Sequence, residues 1–129
     1  MSWGCRLYEY RVKEIVHFVD GDTFDCVIDL GFEVYHKIRV RMYGINTPES
    51  RTRDLEEKAR GLASKKRLIQ ILTEDEATPY SLVLKTKEKG KYGRWLGIIT
   101  KCYEDDTSIA VNQTMIDDGY AVPYFGGKR

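Results

Sequence analysis

Asp20-Gly21-Asp22-Thr23-Phe24-Asp25-Cys26-Val27-Ile28-Asp29-Leu30 is the stretch that decides the fold. Asp20-Gly21 is a strong turn signal. Beyond it Phe24, Cys26, Ile28 and Leu30 alternate with Asp25 and Asp29, the period of a strand with one buried face. Upstream, Tyr8 to Val19 is apolar and β-branched with polar residues interleaved, so the whole reads as strand, turn, strand. Downstream, Leu30-Gly31-Phe32-Glu33 turns the chain into a third strand. There Val34, His36, Ile38, Val40 and Met42 alternate with Tyr35, Lys37, Arg39, Arg41 and Tyr43. Arg41 falls on the face opposite the apolar set, from which an arginine on a curved sheet can reach a ligand; Arg39 shares that face.

Pro48 ends the extended stretch, and from about Asp54 the spacing becomes helical, with Leu55, Ala59, Leu62, Ala63, Leu68, Ile69 and Leu72 on one stripe. Asp54 is the expected N-cap, with Glu57 completing a capping box. Gly61 weakens this helix locally, and a glycine there allows close packing against the sheet. Ser81–Leu84 reads as a fourth strand and Trp95–Ile99 as a fifth, joined by a lysine-rich turn containing Gly90 and Gly93. A second, short helix is expected around Ile109 to Asp118, with Gly119 as its C′ residue. Short strands with a helix after the third give an α+β, mainly β, class: a five-stranded OB-type barrel with one long helix after strand 3 and a short helix after strand 5. With 129 residues the chain is expected to form one domain, ending in a short flexible basic tail over about residues 126–129.

The hydrophobic share is 42% and the charged share 32%, ordinary for a globular chain, and no apolar run approaches the ~20 residues that cross a bilayer. No membrane partner is expected. The first residues lack the apolar core of a secretory signal, so the expected place is the cytosol. Cys5, Cys26 and Cys102 are odd in number and widely spaced, which supports neither a disulfide framework nor a zinc site; Cys26 is expected in the core. The net charge is only +1. Its placement is uneven: basic residues collect from Arg51 to Arg67 and again at Lys85, Lys87, Lys89, Lys91 and Arg94.

Three short segments bring two kinds of charge together: Asp20-Gly21-Asp22-Thr23, then Arg41 running to Asn46-Thr47-Pro48-Glu49, then Lys91-Tyr92-Gly93-Arg94. A hard cation wants carboxylate and carbonyl oxygens, while a phosphodiester gathering charge during displacement wants fixed guanidinium donors. Taken singly, each residue has a bland reading: Asp22 a turn former, Asn46 a strand terminator, Glu49 a solvated carboxylate, the arginines surface cations, the lysines an edge-strand guard. His17 and His36 read as structural.

In this order the segments resemble the thermonuclease (staphylococcal-nuclease-like) family, with its D-G-D-T turn, R-x4-D-x-P-E segment and Y-G-R turn. The resemblance implies Ca²⁺-dependent hydrolysis of DNA and/or RNA by in-line attack of a metal-associated water, with the 5′-oxygen leaving. It assigns Asp22, the side chain of Asn46 and the backbone carbonyl of Thr47 to the metal, Glu49 to the general base, and Arg41 and Arg94 to the phosphate. Tyr120 and Tyr124 would lie against a substrate base, with Lys89, Lys91 and Tyr92 completing the nucleic-acid contacts, single-stranded or unpaired segments being favoured. Asn46 departs from the pattern, which usually has Asp there; one ligand charge fewer should weaken metal binding. The alternative is a catalytically weakened OB-fold module that binds single strands, and a third reading is a protein-interaction barrel. A short intracellular nuclease of this type would suit phage or mobile-element biology.

Overall fold

A computed structural model describes residues 8–73, 79–90 and 93–124 of the chain. In order it has β1 (Glu9–Asp20), β2 (Thr23–Asp29), β3 (Tyr35–Met42), the short β4 (Ile45–Asn46) and α1 (Leu55–Thr73). Then come β5 (Tyr80–Lys89), β6 (Trp95–Tyr103), the short β7 (Ser108–Ala110), α2 (Val111–Asp117) and β8 (Val122–Pro123). The strands run in the order β3-β2-β1-β5-β6-β7, and a parallel pairing of β3 with β6 closes a five-stranded barrel. The fold is the α+β, mainly β, OB-type barrel that the alternation predicts, with β5 and β6 as its fourth and fifth strands. β1 makes the closure possible. Its register against β2 shifts between Val12 and Glu14, Ile15 and His17, and Phe18 and Asp20, and each irregularity bends and twists the strand. One strand can thereby pair with β2 on one side and, at Glu9 to Arg11, with β5 on the other.

Inward residues of β2 and β3 (Phe24, Cys26, Ile28, Ile38, Val40 and Met42) form the core with Leu82, Leu84 and Ile99. Leu68 and Leu72 of α1 and Val111 and Met115 of α2 pack onto it. Leu30 does not join: β2 ends at Asp29, so Leu30 passes out of the sheet and is 42% exposed. Cys26 is fully buried, and burial, helped by the neighbouring Asp25 carboxylate, pushes its thiol up to about 12.

α1 begins where Asp54 predicts it, the Asp54 carboxylate accepting the N–H groups of Glu56 and Glu57 at 3.0 and 3.3 Å. The buried face of α1 is a correction to the predicted stripe. Gly61, Ser64, Leu68, Ile71 and Leu72 are buried, whereas Leu55 and Leu62 are 79% and 47% exposed. The physical reason is clearance. A Cβ on Gly61 would overlap the Glu49 carbonyl group and stand 2.7 Å from the Ser50 nitrogen. One on Gly21 would stand 2.7 Å from Ser64 Cβ. The first half of α1 lies against backbone, where no leucine fits, and only its second half meets the apolar core.

α2 ends in a Schellman turn: the Gly119 N–H donates to the Ile116 carbonyl, the Tyr120 N–H to the Met115 carbonyl, and Gly119 has φ +82°. At the far end of α1, Lys101 is buried with its Nζ donating to the Ile71 carbonyl at 2.7 Å and lying 4.1 Å from the Tyr80 ring centroid. The Tyr80 hydroxyl donates to the Leu72 carbonyl at 2.9 Å. These two donors satisfy helix-end carbonyls that no basic residue of the last turn serves.

Candidate functional site

The turn between β1 and β2, the segment after β3 and the start of β6 converge. Asp20, paired with Thr23 across a two-residue turn, has a carboxylate that accepts both the N–H and the hydroxyl of Ser50. That contact ties the segment carrying Glu49 to the first turn. Asp22 is buried; its Oδ1 accepts the Thr23 hydroxyl at 2.9 Å and its Oδ2 the Thr47 N–H at 3.0 Å. The Met42 N–H donates to the Asp22 carbonyl, so the end of β3 is fixed to the same turn.

Arg41 is the centre of the arrangement. Its Nη1 donates to the carbonyls of Met42 and Ile45 at 3.0 and 2.9 Å and stands 3.3 Å from Asp22 Oδ2, while Nη2 donates to Asn46 Oδ1 at 3.2 Å. With 12% of its side chain exposed, this guanidinium is held on several sides and shielded from water. Arg39 is engaged elsewhere, with Nε and Nη2 on the Asp25 carboxylate at 2.7 and 3.1 Å. The hydrogen bonds from Arg39 hold the Asp25 carboxyl below its ordinary range and outweigh the opposing effect of burial.

Asp22, Arg41, Asn46, Thr47, Glu49 and Arg94 line a single polar cleft of about 210 Å³, with Asp20, Thr23 and Tyr124 completing its wall. Glu49 is exposed there, and its backbone is braced from behind by α1 at Gly61. Tyr124 is brought to the cleft because its N–H donates to the Gly44 carbonyl and β8 pairs with β4. Tyr124 also lines an adjoining cleft with Arg41, Tyr43, Arg94 and Leu96.

The other expected nucleic-acid residues are placed differently. Tyr120 faces a separate cleft of about 500 Å³ beside Asn46 and Thr47, not the one holding the arginines. Lys89 is exposed, with its Nζ 5.8 Å from the Trp95 ring centroid. Lys91 and Tyr92 lie outside the described residues, as does the expected tail.

Two contributors are absent from the sequence-level site. Asn112 is buried in α2; its Nδ2 donates to the Tyr43 and Gly97 carbonyls at 2.8 and 3.1 Å and its Oδ1 accepts the Ile99 N–H at 3.0 Å. It clamps the turn that leads from Arg41 to Asn46 onto β6. Ser64 donates to the Tyr120 carbonyl at 2.7 Å and anchors the chain that returns to Tyr124. A polar residue at a core position of a helical pattern is the one signal that marks each.

The oxygen donors suit a hard cation. Asp22 offers a carboxylate, Asn46 an amide oxygen and Thr47 a carbonyl, and Thr47 Oγ1 is buried with no hydrogen-bond partner among the described residues. Among the described residues no group of three or more His, Cys, Asp or Glu side chains could hold a metal, and Asp22 Oδ2 and Asn46 Oδ1 both face the Arg41 guanidinium.

Residues 39–129 match the family model for staphylococcal nuclease homologues. The chain belongs to that family. The match takes in Arg41, the Asn46 to Glu49 segment and Arg94, while the turn with Asp20 and Asp22 precedes it. No curated protein matches the chain. The family is one of nucleases, so nucleic acid is the substrate class at family level, and its members generally use Ca²⁺. Among the described residues no helix is long and apolar enough to cross a membrane.

Proposed function

We propose that this staphylococcal nuclease homologue is a Ca²⁺-dependent nuclease acting on single-stranded or locally unpaired DNA and/or RNA. The observation that carries the reading is the meeting of Arg41 and Arg94 with Asp22, Asn46, Thr47 and Glu49 in one polar cleft. Asp22, Asn46 and Thr47 would hold the cation. When bound it would supply a Lewis-acid charge that offsets the phosphate's own and eases deprotonation of a nearby water. Arg41 is already oriented by two backbone carbonyls, so a fixed positive charge stands in the cleft where charge grows on the phosphate oxygens. Arg94, which lines the same cleft, supplies a second guanidinium. Glu49 takes the proton of the attacking water as the water oxygen bonds to phosphorus, and the 5′-oxygen departs on the opposite side.

Asn46 favours the second reading, a binding module with weakened catalysis, because a neutral amide stands where a carboxylate would add charge. Calcium titrations of single-stranded DNA cleavage separate the two. A nuclease gives calcium-dependent cleavage in the native chain, with a lower calcium midpoint in Asn46→Asp. A native chain that binds the strand but cleaves at no calcium concentration, and gains activity only in Asn46→Asp, is the binding module.

A further inference from the structure

Inward residues of four strands, Tyr10, Ile28, Ile38 and Trp95, converge with Tyr8 and Leu30 on a cleft of about 340 Å³ at one end of the barrel. Barrel mouths are recurrent ligand sites. The rim is open: Tyr8 and Leu30 are 66% and 42% exposed. Lys87 and His36 are its basic lining residues, and no carboxylate is among the described residues lining it.

This cleft lies near the candidate site, on the opposite face of β6. Trp95 and Leu96 are consecutive on β6; the first lines the barrel mouth, and the second lines the cleft of Tyr43, Tyr124 and Arg94. Lys87 stands between them, lining the mouth while its Nζ lies 5.4 Å from the Tyr43 ring centroid. It is placed there by an irregularity of β5 between Thr86 and Glu88, a feature that re-aims side chains. Lys89 reaches toward the Trp95 ring from the same strand end. Two aromatic clefts with cations between them match the spacing logic of a single strand, whose bases alternate with phosphates. Lys87 and Lys89 flank one carboxylate, Glu88, which lines the neighbouring cleft, and the mouth itself has none among the described residues, a balance that favours a polyanion over an apolar peptide.

We propose that the barrel mouth is a nucleobase subsite: it takes one unpaired base of a single-stranded nucleic acid whose phosphates pass Lys87 and Lys89 on the way to Arg41 and Arg94. The proposal rests on the nuclease reading and extends it to a track longer than the reacting phosphodiester. Stacking on Trp95, Tyr8 and Tyr10 is tolerant of base identity, so the subsite sets strand length and unpairedness, not sequence.

The test is equilibrium binding of oligothymidylates from two to about ten nucleotides long, with calcium chelated so that nothing is cleaved. Trp3→Phe is the background, which leaves Trp95 as the single tryptophan of the two in the chain. Binding of the longer strands quenches Trp95 emission. Tyr8→Ala in that background loses about tenfold in affinity for the longer strands and nothing for the dinucleotide. Equal affinity of Tyr8→Ala and its parent at every length overturns the proposal. So does Trp95 quenching that follows protein concentration instead of oligonucleotide, which would make the mouth a contact between copies. If the native chain cleaves no strand with calcium present but the length-dependent loss persists, the nuclease reading fails and the subsite stands.

Discussion

Arg39 and Arg41 stand two positions apart on one face of β3, yet they serve different partners. Asp25, directly across β2, takes Arg39, while the turn after β3 wraps its carbonyls around Arg41 and leaves it beside Asp22 and Asn46. Because the folded Asp25 carboxyl sits below its ordinary value of 3.8, the pair's stabilisation is complete above that value and is lost as the pH falls through the lower folded one. Arg39 is nearly half exposed, so Asp25→Asn should cost about 1 kcal/mol or less at neutral pH, and the difference from the native chain should vanish in strong acid. Thermal unfolding across acid pH checks this. Arg94→Ala should lower the cleavage rate by about 10²–10³ with a smaller change in strand affinity, measured in single-turnover assays. Thr47→Val should stabilise the calcium-free chain by about 1 kcal/mol, since it removes a buried hydroxyl that has no partner among the described residues. Denaturant unfolding with and without calcium would detect it.

At the scale of elements, α1 is the brace that holds both turns of the site. A mid-helix glycine ordinarily costs a helix about 1 kcal/mol against alanine, yet Gly61 is where α1 meets the backbone of Glu49 and Ser50. Gly61→Ala should therefore lower stability despite its better helix propensity and slow cleavage more than it weakens binding. Asn112→Ala should cost about 2 kcal/mol, because it leaves the buried Ile99 N–H without its acceptor and takes a donor from the Tyr43 and Gly97 carbonyls. The strands were easy to read because a period of two survives wherever one face is buried, as in Phe24, Cys26 and Ile28. The buried face of α1 was not. Its clearance is set by turns about 10 to 40 positions away in sequence, which hydrophobic periodicity within one helix does not report. Lys101 and Asn112 escape notice for a related reason: their burial depends on helix-end and strand carbonyls supplied by other elements. The site itself is legible as three charged segments, but that Arg41 grips Asn46 emerges only when the turn from Met42 to Ile45 closes around the guanidinium.

For the molecule as a whole, the barrel encloses one hydrophobic core. Cys26 sits at its centre, fully buried and with its thiol pushed up to about 12, so alkylating reagents near neutral pH should leave it untouched until global unfolding. Labelling of Cys26 in the native chain, read by mass spectrometry, would mean that the barrel opens locally. Closure of β3 onto β6 aligns Arg41 with Leu96, which brings the two arginine-bearing segments to one cleft and sets Trp95 at the barrel mouth. The most direct measurement of the account is single-turnover cleavage of single-stranded DNA in saturating calcium by the native chain and by Glu49→Gln, with strand affinity measured in parallel. The account predicts calcium-dependent cleavage that falls by about 10²-fold or more in the variant while affinity is retained. Equal rates in the two proteins, or no cleavage by the native chain, would contradict it.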